Sequence, residues 1–280
     1  MSNHVRWHDL PEQEIENHFN PRIAVADAAE RLDAWTSFSA TLDVDVRRDI
    51  RYGDGPRMTL DVYPATVDAP TVVFIHGGYW RRLDKSVHVF AADGLRRMGA
   101  NVVALNYDLC PSITLTRLNA EIAEGIRYVA ANADALGLRA GKLHVVGHSA
   151  GGHAAAWAAS DPDLAPLLAG VVPISGVFDT RAVRLTSIND DVKLDEGEAH
   201  RMNVFARPPG QGIPVLAIVG GEEPPAWIGE SAGYCDHVRT GGGGPCHLEI
   251  VPGTNHFSVL EAATDPASGP GRSVAAFLAG

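Results

Sequence analysis

The sequence predicts a doubly wound α/β fold with a mostly parallel sheet and an antiparallel hairpin at one edge. Short β-rich runs alternate along the chain with segments of helical pattern. The runs from Thr71 onward are apolar almost throughout rather than alternating, which is typical of parallel strands that helices cover on both faces. A glycine-rich turn separates two earlier runs. Together these features indicate one α/β domain over residues 1–280.

The predicted strands begin with a hairpin. Val44–Tyr52 and Arg57–Pro64 flank Gly53-Asp54-Gly55-Pro56, a sequence typical of a tight turn. Six further strands are expected at Thr71–Ile75, Asn101–Leu105, Leu143–Gly147, Leu168–Ser175, Ile213–Gly220 and Leu248–Pro252.

Five helices are expected between or after these strands. They are Ser86–Met98, Thr114–Leu136, Gly151–Ser160, Pro225–Val238 and Ser273–Leu278. Residues 179–209 are polar and irregular and follow the end of a strand. We therefore expect this segment to be a small cap-like excursion over the carboxyl edge of the sheet, where it would shape substrate access.

Composition excludes several classes of protein. The chain has 280 residues, of which 45% are hydrophobic, so it can bury a sizeable core and is not disordered. Lys and Arg number 23 against 34 Asp and Glu, a net charge of −11. An acidic surface repels phosphate backbones and anionic lipid, so we expect neither a nucleic-acid partner nor a membrane.

The cysteines and the amino-terminal residues bear on the compartment. No apolar run near the start could serve as the core of a signal peptide, and none is long enough to span a membrane. Cys110, Cys235 and Cys246 have neither the spacing of a zinc site nor the density of a disulfide framework. We therefore expect a cytoplasmic protein with three free thiols and no metal.

The strongest motif is Gly147-His148-Ser149-Ala150-Gly151, which stands between a predicted strand and a predicted helix. In that context G-x-S-x-G indicates a nucleophile elbow, a turn so sharp that bulky residues two positions from the serine would collide. The glycines at 147 and 151 remove the collision and leave the serine hydroxyl exposed. Ser149 is therefore the candidate nucleophile.

A second motif, His76-Gly77-Gly78-Tyr79-Trp80, directly follows the strand that ends at Ile75. Hydrolysis through a tetrahedral intermediate needs backbone N–H groups that point at the developing oxyanion. The candidates are the N–H groups of Gly77, Gly78 and Tyr79, with that of Ala150 after the nucleophile. Tyr79, Trp80 and His148 are candidates for substrate contacts. For Trp80, stacking on an aryl ring and packing beneath the loop both remain open.

A serine nucleophile needs a base and an acid that orients it. In the chain order expected for this arrangement, the histidine comes late, and His256 stands in a loop after the last strand. The acid should follow the preceding strand, where Glu222 and Glu223 stand. We prefer Glu223 for its offset from the strand end. Asp179 is a rival that fits less well.

These motifs resemble those of the kynurenine formamidases (arylformamidases), a family of α/β-hydrolases. The resemblance extends over roughly residues 19–260. Besides the two glycine motifs it includes Phe19-Asn20-Pro21-Arg22, Tyr52-Gly53-Asp54-Gly55-Pro56-Arg57, Leu60-Asp61-Val62, Asn106-Tyr107-Asp108-Leu109-Cys110-Pro111, Thr186-Ser187-Ile188-Asn189 and Leu194-Asp195. The chain differs from the family pattern after Glu223, at Pro224-Pro225-Ala226-Trp227, and again at Gly229-Glu230-Ser231.

The resemblance implies an α/β-hydrolase fold and hydrolysis of N-formyl-L-kynurenine to formate and kynurenine, without cofactor or metal. It implies Ser149 as nucleophile, His256 as base and an acid near Glu223. A carboxylesterase or amidase of short acyl chains would use the same residues, and a binding protein without turnover is a third reading. The expected partner is a small-molecule substrate, with a homodimer as one option for the assembly.

Overall fold

A computed structural model describes residues 4–280 as one eight-stranded sheet with helices on both faces. The strands are β1 (Arg47–Arg51), β2 (Thr59–Tyr63), β3 (Thr71–Ile75), β4 (Asn101–Leu105), β5 (Leu143–His148), β6 (Leu168–Ile174), β7 (Val215–Gly220) and β8 (Cys246–Val251). Their order in the sheet is β1-β2-β4-β3-β5-β6-β7-β8. β2 runs antiparallel to both of its neighbours, whereas β3 to β8 are mutually parallel. The predicted edge hairpin and parallel sheet are thus confirmed.

The helices fall into three groups along the chain. Three precede the sheet: α1 (Glu12–Phe19), α2 (Pro21–Ala24) and α3 (Ala28–Thr41). Six follow strands β3 to β6: α4 (Val89–Arg97), α5 (Leu115–Ala131), α6 (Ala150–Ala159), α7 (Thr180–Val183), α8 (Asn189–Val192) and α9 (Glu196–Met202). The last three are α10 (Pro225–Thr240), α11 (Ser258–Thr264) and α12 (Gly269–Ala279).

The apolar strands are buried on both faces, as their composition predicts. In β3 every residue is buried, and successive side chains enter opposite layers of the core. Val73 and Ile75 pack with one layer, and Val72 and Phe74 with the other. This alternation follows from the period of two in a strand, and it explains why no polar face appears in the sequence. The carboxyl ends of the parallel strands therefore share one edge, where the loops carry the candidate residues.

The amino-terminal helices have no counterpart among the predicted elements. α1 contacts α7 and α10, and α3 contacts α4 and the 3-10 turn Lys85–His88 that precedes it. Residues 179–209, expected to be irregular, contain the three short helices α7, α8 and α9. No helix of the described chain combines the length and apolar character needed to cross a membrane.

Two of the three cysteines are bonded to each other. Cys235 of α10 and Cys246 of β8 form a disulfide whose Cα atoms are 5.5 Å apart, whereas Cys110 is free and buried. The expectation of free thiols is therefore wrong for Cys235 and Cys246. In an α/β unit the end of a helix returns to the start of the next parallel strand, and here that return brings the two sulfurs together.

Candidate active site

Ser149 occupies the turn between β5 and α6 in a backbone conformation that few residues adopt. Its φ is 56° and its ψ is −116°. A Cβ at Gly147 would lie 2.0 Å from the carbonyl oxygen of Gly151, and a Cβ at Gly151 would lie 2.0 Å from that of Ile75. Only glycine fits at these two positions. The turn geometry that the G-x-S-x-G motif predicts is therefore present.

Glu223 and His256 form a buried, hydrogen-bonded pair. His256 Nδ1 donates to Glu223 Oε2 at 2.7 Å, and both side chains are almost completely buried. The other carboxylate oxygen, Oε1, accepts the N–H of Gly220 at 2.8 Å and the hydroxyl of Ser175. Because Nδ1 carries the proton that Glu223 accepts, Nε2 is the nitrogen left for proton transfer.

The two rival acids lie in different surroundings. Glu222 is exposed, and its backbone N–H donates a hydrogen bond to the Thr254 carbonyl. The Asp179 carboxylate accepts the indole N–H of Trp7 at 2.8 Å and is ion-paired with Arg181 at 2.7 Å. Of the three acids, Glu223 alone contacts His256.

Ser149 and His256 line the same pocket, and no hydrogen bond joins their side chains. In ligand-free hydrolases this contact is often long and tightens when substrate binds. Trp227 and His148 flank the His256 ring, with centroids at 4.7 and 4.9 Å. The imidazole is thus held on two sides by aromatic rings and at Nδ1 by a carboxylate.

The loop of the second motif runs beside the elbow. A Cβ at Gly77 would lie 3.2 Å from Ser149 Cβ. Among residues 4–280, the backbone N–H groups of Gly77, Gly78, Tyr79 and Ala150 donate no hydrogen bond to the protein itself. These donors are therefore available to a bound oxyanion.

Buried polar groups hold this loop from below. One ring nitrogen of His76, Nε2, is 3.0 Å from Asn106 Oδ1, and the other, Nδ1, is 2.7 Å from the Gly77 carbonyl. Burial lowers the pKa of His76 to about 4, so the ring is neutral at physiological pH. The ring of Tyr107 stacks on His76 at 4.4 Å, and its hydroxyl donates to the His76 carbonyl. The conformation of the loop therefore rests on interior contacts.

Of the three residues predicted to contact substrate, Tyr79 and His148 line the pocket and Trp80 does not. Tyr79 lines the pocket, and its hydroxyl donates to the Phe19 carbonyl. His148 also lines the pocket, and its Nε2 donates to the His256 carbonyl at 2.8 Å. Trp80 is completely buried against His153 and does not reach the pocket, so its assignment as a substrate contact is wrong. The loop turns at Tyr79, which directs the next side chain into the core.

The pocket over Ser149 encloses about 70 Å³. Its roof comes from α2 and α3 through residues that sequence reasoning missed, above all Trp35 and Leu32. Trp35 donates its indole N–H to Glu261 at 2.7 Å, and its ring contacts that of His148 at 6.0 Å. None of the lining residues comes from 179–209, and the role of that segment as a cap stays a prediction. In the described residues, no cluster of three or more His, Cys, Asp or Glu has a metal-binding arrangement.

The chain is similar in sequence and fold to several known proteins. A family model described as BD-FAE matches residues 60–179. A kynurenine formamidase of Salmo salar is 28% identical over 93% of this chain and 94% of its own. A solved structure from Silicibacter sp. TM1040, provisionally described as a thioesterase, is 26% identical with a TM-score of 0.80, covering 95% of this chain and 99% of its own. An esterase from Pyrobaculum calidifontis shares the fold, with a TM-score of 0.72 and 23% identity over 96% of this chain and 95% of its own.

Proposed function

Because the chain is a kynurenine formamidase-like α/β-hydrolase, an enzyme of the esterase and amidase type, we propose that it is an arylformamidase. Its proposed reaction is the hydrolysis of N-formyl-L-kynurenine to formate and kynurenine. The observation that carries the proposal is the similarity to the kynurenine formamidase of Salmo salar, which extends over 93% of the chain. The hydrogen bond between Glu223 and His256 and the position of Ser149 in the same pocket as His256 support it.

In the first half-reaction Ser149 Oγ attacks the formyl carbon. Its proton passes to His256 Nε2, while Glu223 stabilises the imidazolium that forms. The 2.7 Å bond between His256 Nδ1 and Glu223 supports these roles because it fixes the tautomer. The C–N bond then breaks, and His256 returns the proton to the departing aniline nitrogen. A formyl ester remains on Ser149.

In the second half-reaction water hydrolyses this ester by the same route. His256 removes a proton from water, the hydroxide attacks the formyl carbon, and Ser149 recovers its proton as formate leaves. Both tetrahedral intermediates carry negative charge on the former carbonyl oxygen. The N–H groups of Gly77, Gly78, Tyr79 and Ala150 would bind that oxygen, and each well-placed donor lowers the barrier by about 3–4 kcal/mol.

The alternative is a carboxylesterase or amidase of short acyl chains with the same triad. The structural likeness to the Silicibacter protein, provisionally described as a thioesterase, favours this alternative. So does Trp227, which lies in the segment that departs from the formamidase pattern and packs against the His256 ring. A change in this segment therefore alters the surroundings of the proposed base.

The substrate is tested by comparing kcat/KM on N-formyl-L-kynurenine with kcat/KM on p-nitrophenyl acetate. An arylformamidase turns over the formamide readily. If the formamide is hydrolysed negligibly and the ester rapidly, the arylformamidase proposal is wrong and the carboxylesterase or amidase alternative takes its place.

The nucleophile is tested with Ser149→Ala. We expect kcat to fall at least 10³-fold on either substrate, because the remaining groups bind but cannot form the acyl-enzyme. Ser37→Ala is the matched control, since Ser37 is exposed on α3 and makes no side-chain hydrogen bond in the described structure. Unchanged activity in Ser149→Ala contradicts the mechanism.

A further inference from the structure

We propose that the pocket selects substrates that carry a carboxylate, and that Arg22 and Arg82 bind this group. The inference rests on the proposed function, because it names the substrate class of the same pocket. It applies equally to a formamide and to an ester substrate. Its basis is the distribution of charge around Ser149.

The lining of the pocket has a charge opposite to that of the chain. The whole sequence carries a net charge of −11. The pocket lining nevertheless includes Arg22, Arg81 and Arg82 and contains neither Asp nor Glu. A cavity lined by cations in an acidic protein attracts anions locally while the rest of the surface repels them.

One of the three arginines is neutralised and two are not. The Arg81 guanidinium is ion-paired with Asp191. Arg22 and Arg82 are both exposed, and in residues 4–280 neither guanidinium forms an ion pair or a hydrogen bond with the protein. Their donors are therefore available to a ligand.

The backbones of these two arginines are fixed in separate elements that both line the pocket. The N–H of Arg22, in α2, donates to Asn20 Oδ1 at 3.2 Å, and the adjacent Pro21 is buried. The N–H of Arg82, in the loop that follows Tyr79, donates to the Gly78 carbonyl at 3.1 Å. One cation thus belongs to the roof and the other to the loop with the free N–H donors. A guanidinium fork matches a carboxylate better than any other side chain does.

The remainder of the lining suits an apolar body between the reacting carbonyl and that carboxylate. Leu32, Trp35, Tyr79 and Phe257 present hydrocarbon and aromatic surface. The substrate that fits has a small acyl group at Ser149, an aryl or similar apolar core, and a carboxylate at the mouth.

The test uses a pair of acetate esters of nearly equal size that differ in charge at the far end: 4-acetoxybenzoate and 4-acetoxybenzamide. For each enzyme the ratio of kcat/KM for the anion to kcat/KM for the neutral ester is measured. We expect Arg22→Gln and Arg82→Gln each to lower this ratio about 10-fold, mainly through KM of the anion, and added salt to lower it in the parent enzyme. 4-Formamidobenzoate and 4-formamidobenzamide give the same comparison for a formamide.

The matched control is Arg127→Gln, because Arg127 is exposed on α5, away from the pocket, and is equally without an ion pair in the described chain. Its ratio should equal that of the parent. If Arg22→Gln and Arg82→Gln leave the ratio unchanged, or lower both esters equally, carboxylate recognition is wrong. If the ester ratio falls while formamides are not hydrolysed, recognition stands and the arylformamidase proposal fails.

Discussion

At the scale of single residues, the Glu223 carboxylate is oriented by contacts to both of its oxygens. Oε1 accepts from Gly220 and Ser175, which fixes the carboxylate plane, and Oε2 accepts from His256 Nδ1. Ser175 has a φ of 46°, and its carbonyl accepts the indole N–H of Trp227 at 3.1 Å. The acid is therefore held by the backbone of β7 and by the residue that follows β6.

Replacing Glu223 by Gln should reduce kcat by roughly 10²- to 10⁴-fold, because an amide can stabilise the wrong tautomer and cannot stabilise the imidazolium. The change is nearly isosteric, so the melting temperature should show that the variant is folded. Steady-state kinetics on the best substrate of the panel gives the measurement. Glu222→Gln is the control, because Glu222 is exposed and its replacement should lower kcat little. If kcat falls more in Glu222→Gln than in Glu223→Gln, the acid that orients His256 is Glu222.

Some of these residues can be predicted from the sequence and others cannot, for physical reasons. The elbow around Ser149 is a backbone constraint that glycine spacing reveals, and the position of His256 follows from chain order. For the acid, the sequence supports only a preference for Glu223 over its neighbour Glu222 and over Asp179, because which carboxylate reaches the histidine depends on how the chain turns after β7. For Trp80 the sequence allows both stacking on a substrate and packing in the core, because the positive φ of 59° that accompanies its burial has no signature in the sequence.

At the scale of elements, the strands were predictable and the amino-terminal helices were not. A strand buried on both faces has a continuous apolar run. By contrast, α1 buries only Ile15 and Phe19, and α3 buries only Ala28, Trp35 and Ser39. With so few apolar positions these segments do not stand out in the sequence, because the helices pack mainly against other helices and the Lys85–His88 turn. The roof of the pocket, including Trp35, was missed with them.

The disulfide joins two elements that adjoin the loops carrying Glu223 and His256. α10 begins two residues after Glu223, and β8 ends five residues before His256. A protein purified without reductant should therefore have one titratable thiol, that of Cys110, when unfolded, and three after reduction. Alkylation followed by intact-mass measurement counts them.

A variant checks the assignment of that disulfide. Cys110→Ser should show no thiol before reduction and two afterwards. Cys235→Ser should lower the free energy of unfolding by about 3 kcal/mol, since it opens a loop of this size class. Three thiols labelled without reductant would contradict the bond and restore the expectation of free cysteines.

At the scale of the whole molecule, net charge predicts what the protein avoids, and local charge predicts what it binds. The net charge of −11 underlies the expectation that the protein has no nucleic-acid or membrane partner. That expectation stays a prediction, as do the cytoplasmic location and the homodimer. The arginines that line the pocket come from separated parts of the sequence. Their convergence depends on the helices that the sequence did not reveal, so composition alone could not locate a cationic site.

Stability should also depend on pH through a buried acid outside the active site. Glu230 of α10 is completely buried, and its Oε2 accepts the N–H groups of Phe178 and Asp179 at 3.0 and 2.7 Å. Burial and the nearby Asp179 carboxylate raise the pKa of Glu230 to about 7, while the two N–H bonds and Arg6 oppose the shift. Arg181 and Tyr79 are the other titratable groups that interact with it.

The sign of the effect follows from proton linkage. Between the ordinary glutamate pKa of 4.5 and the folded value of about 7, the folded state binds more protons at Glu230 than the unfolded state does. The contribution of this group to stability is therefore complete below pH 4.5 and is lost as pH rises through 7.

Glu230→Gln keeps a neutral group of the same shape at this position. The free energy of unfolding of this variant should therefore fall less between about pH 5 and pH 8 than that of the parent does. Urea unfolding at several pH values measures this difference, with Glu222→Gln as the exposed control. Equal slopes in Glu230→Gln and the parent would show that Glu230 is ionised throughout that window.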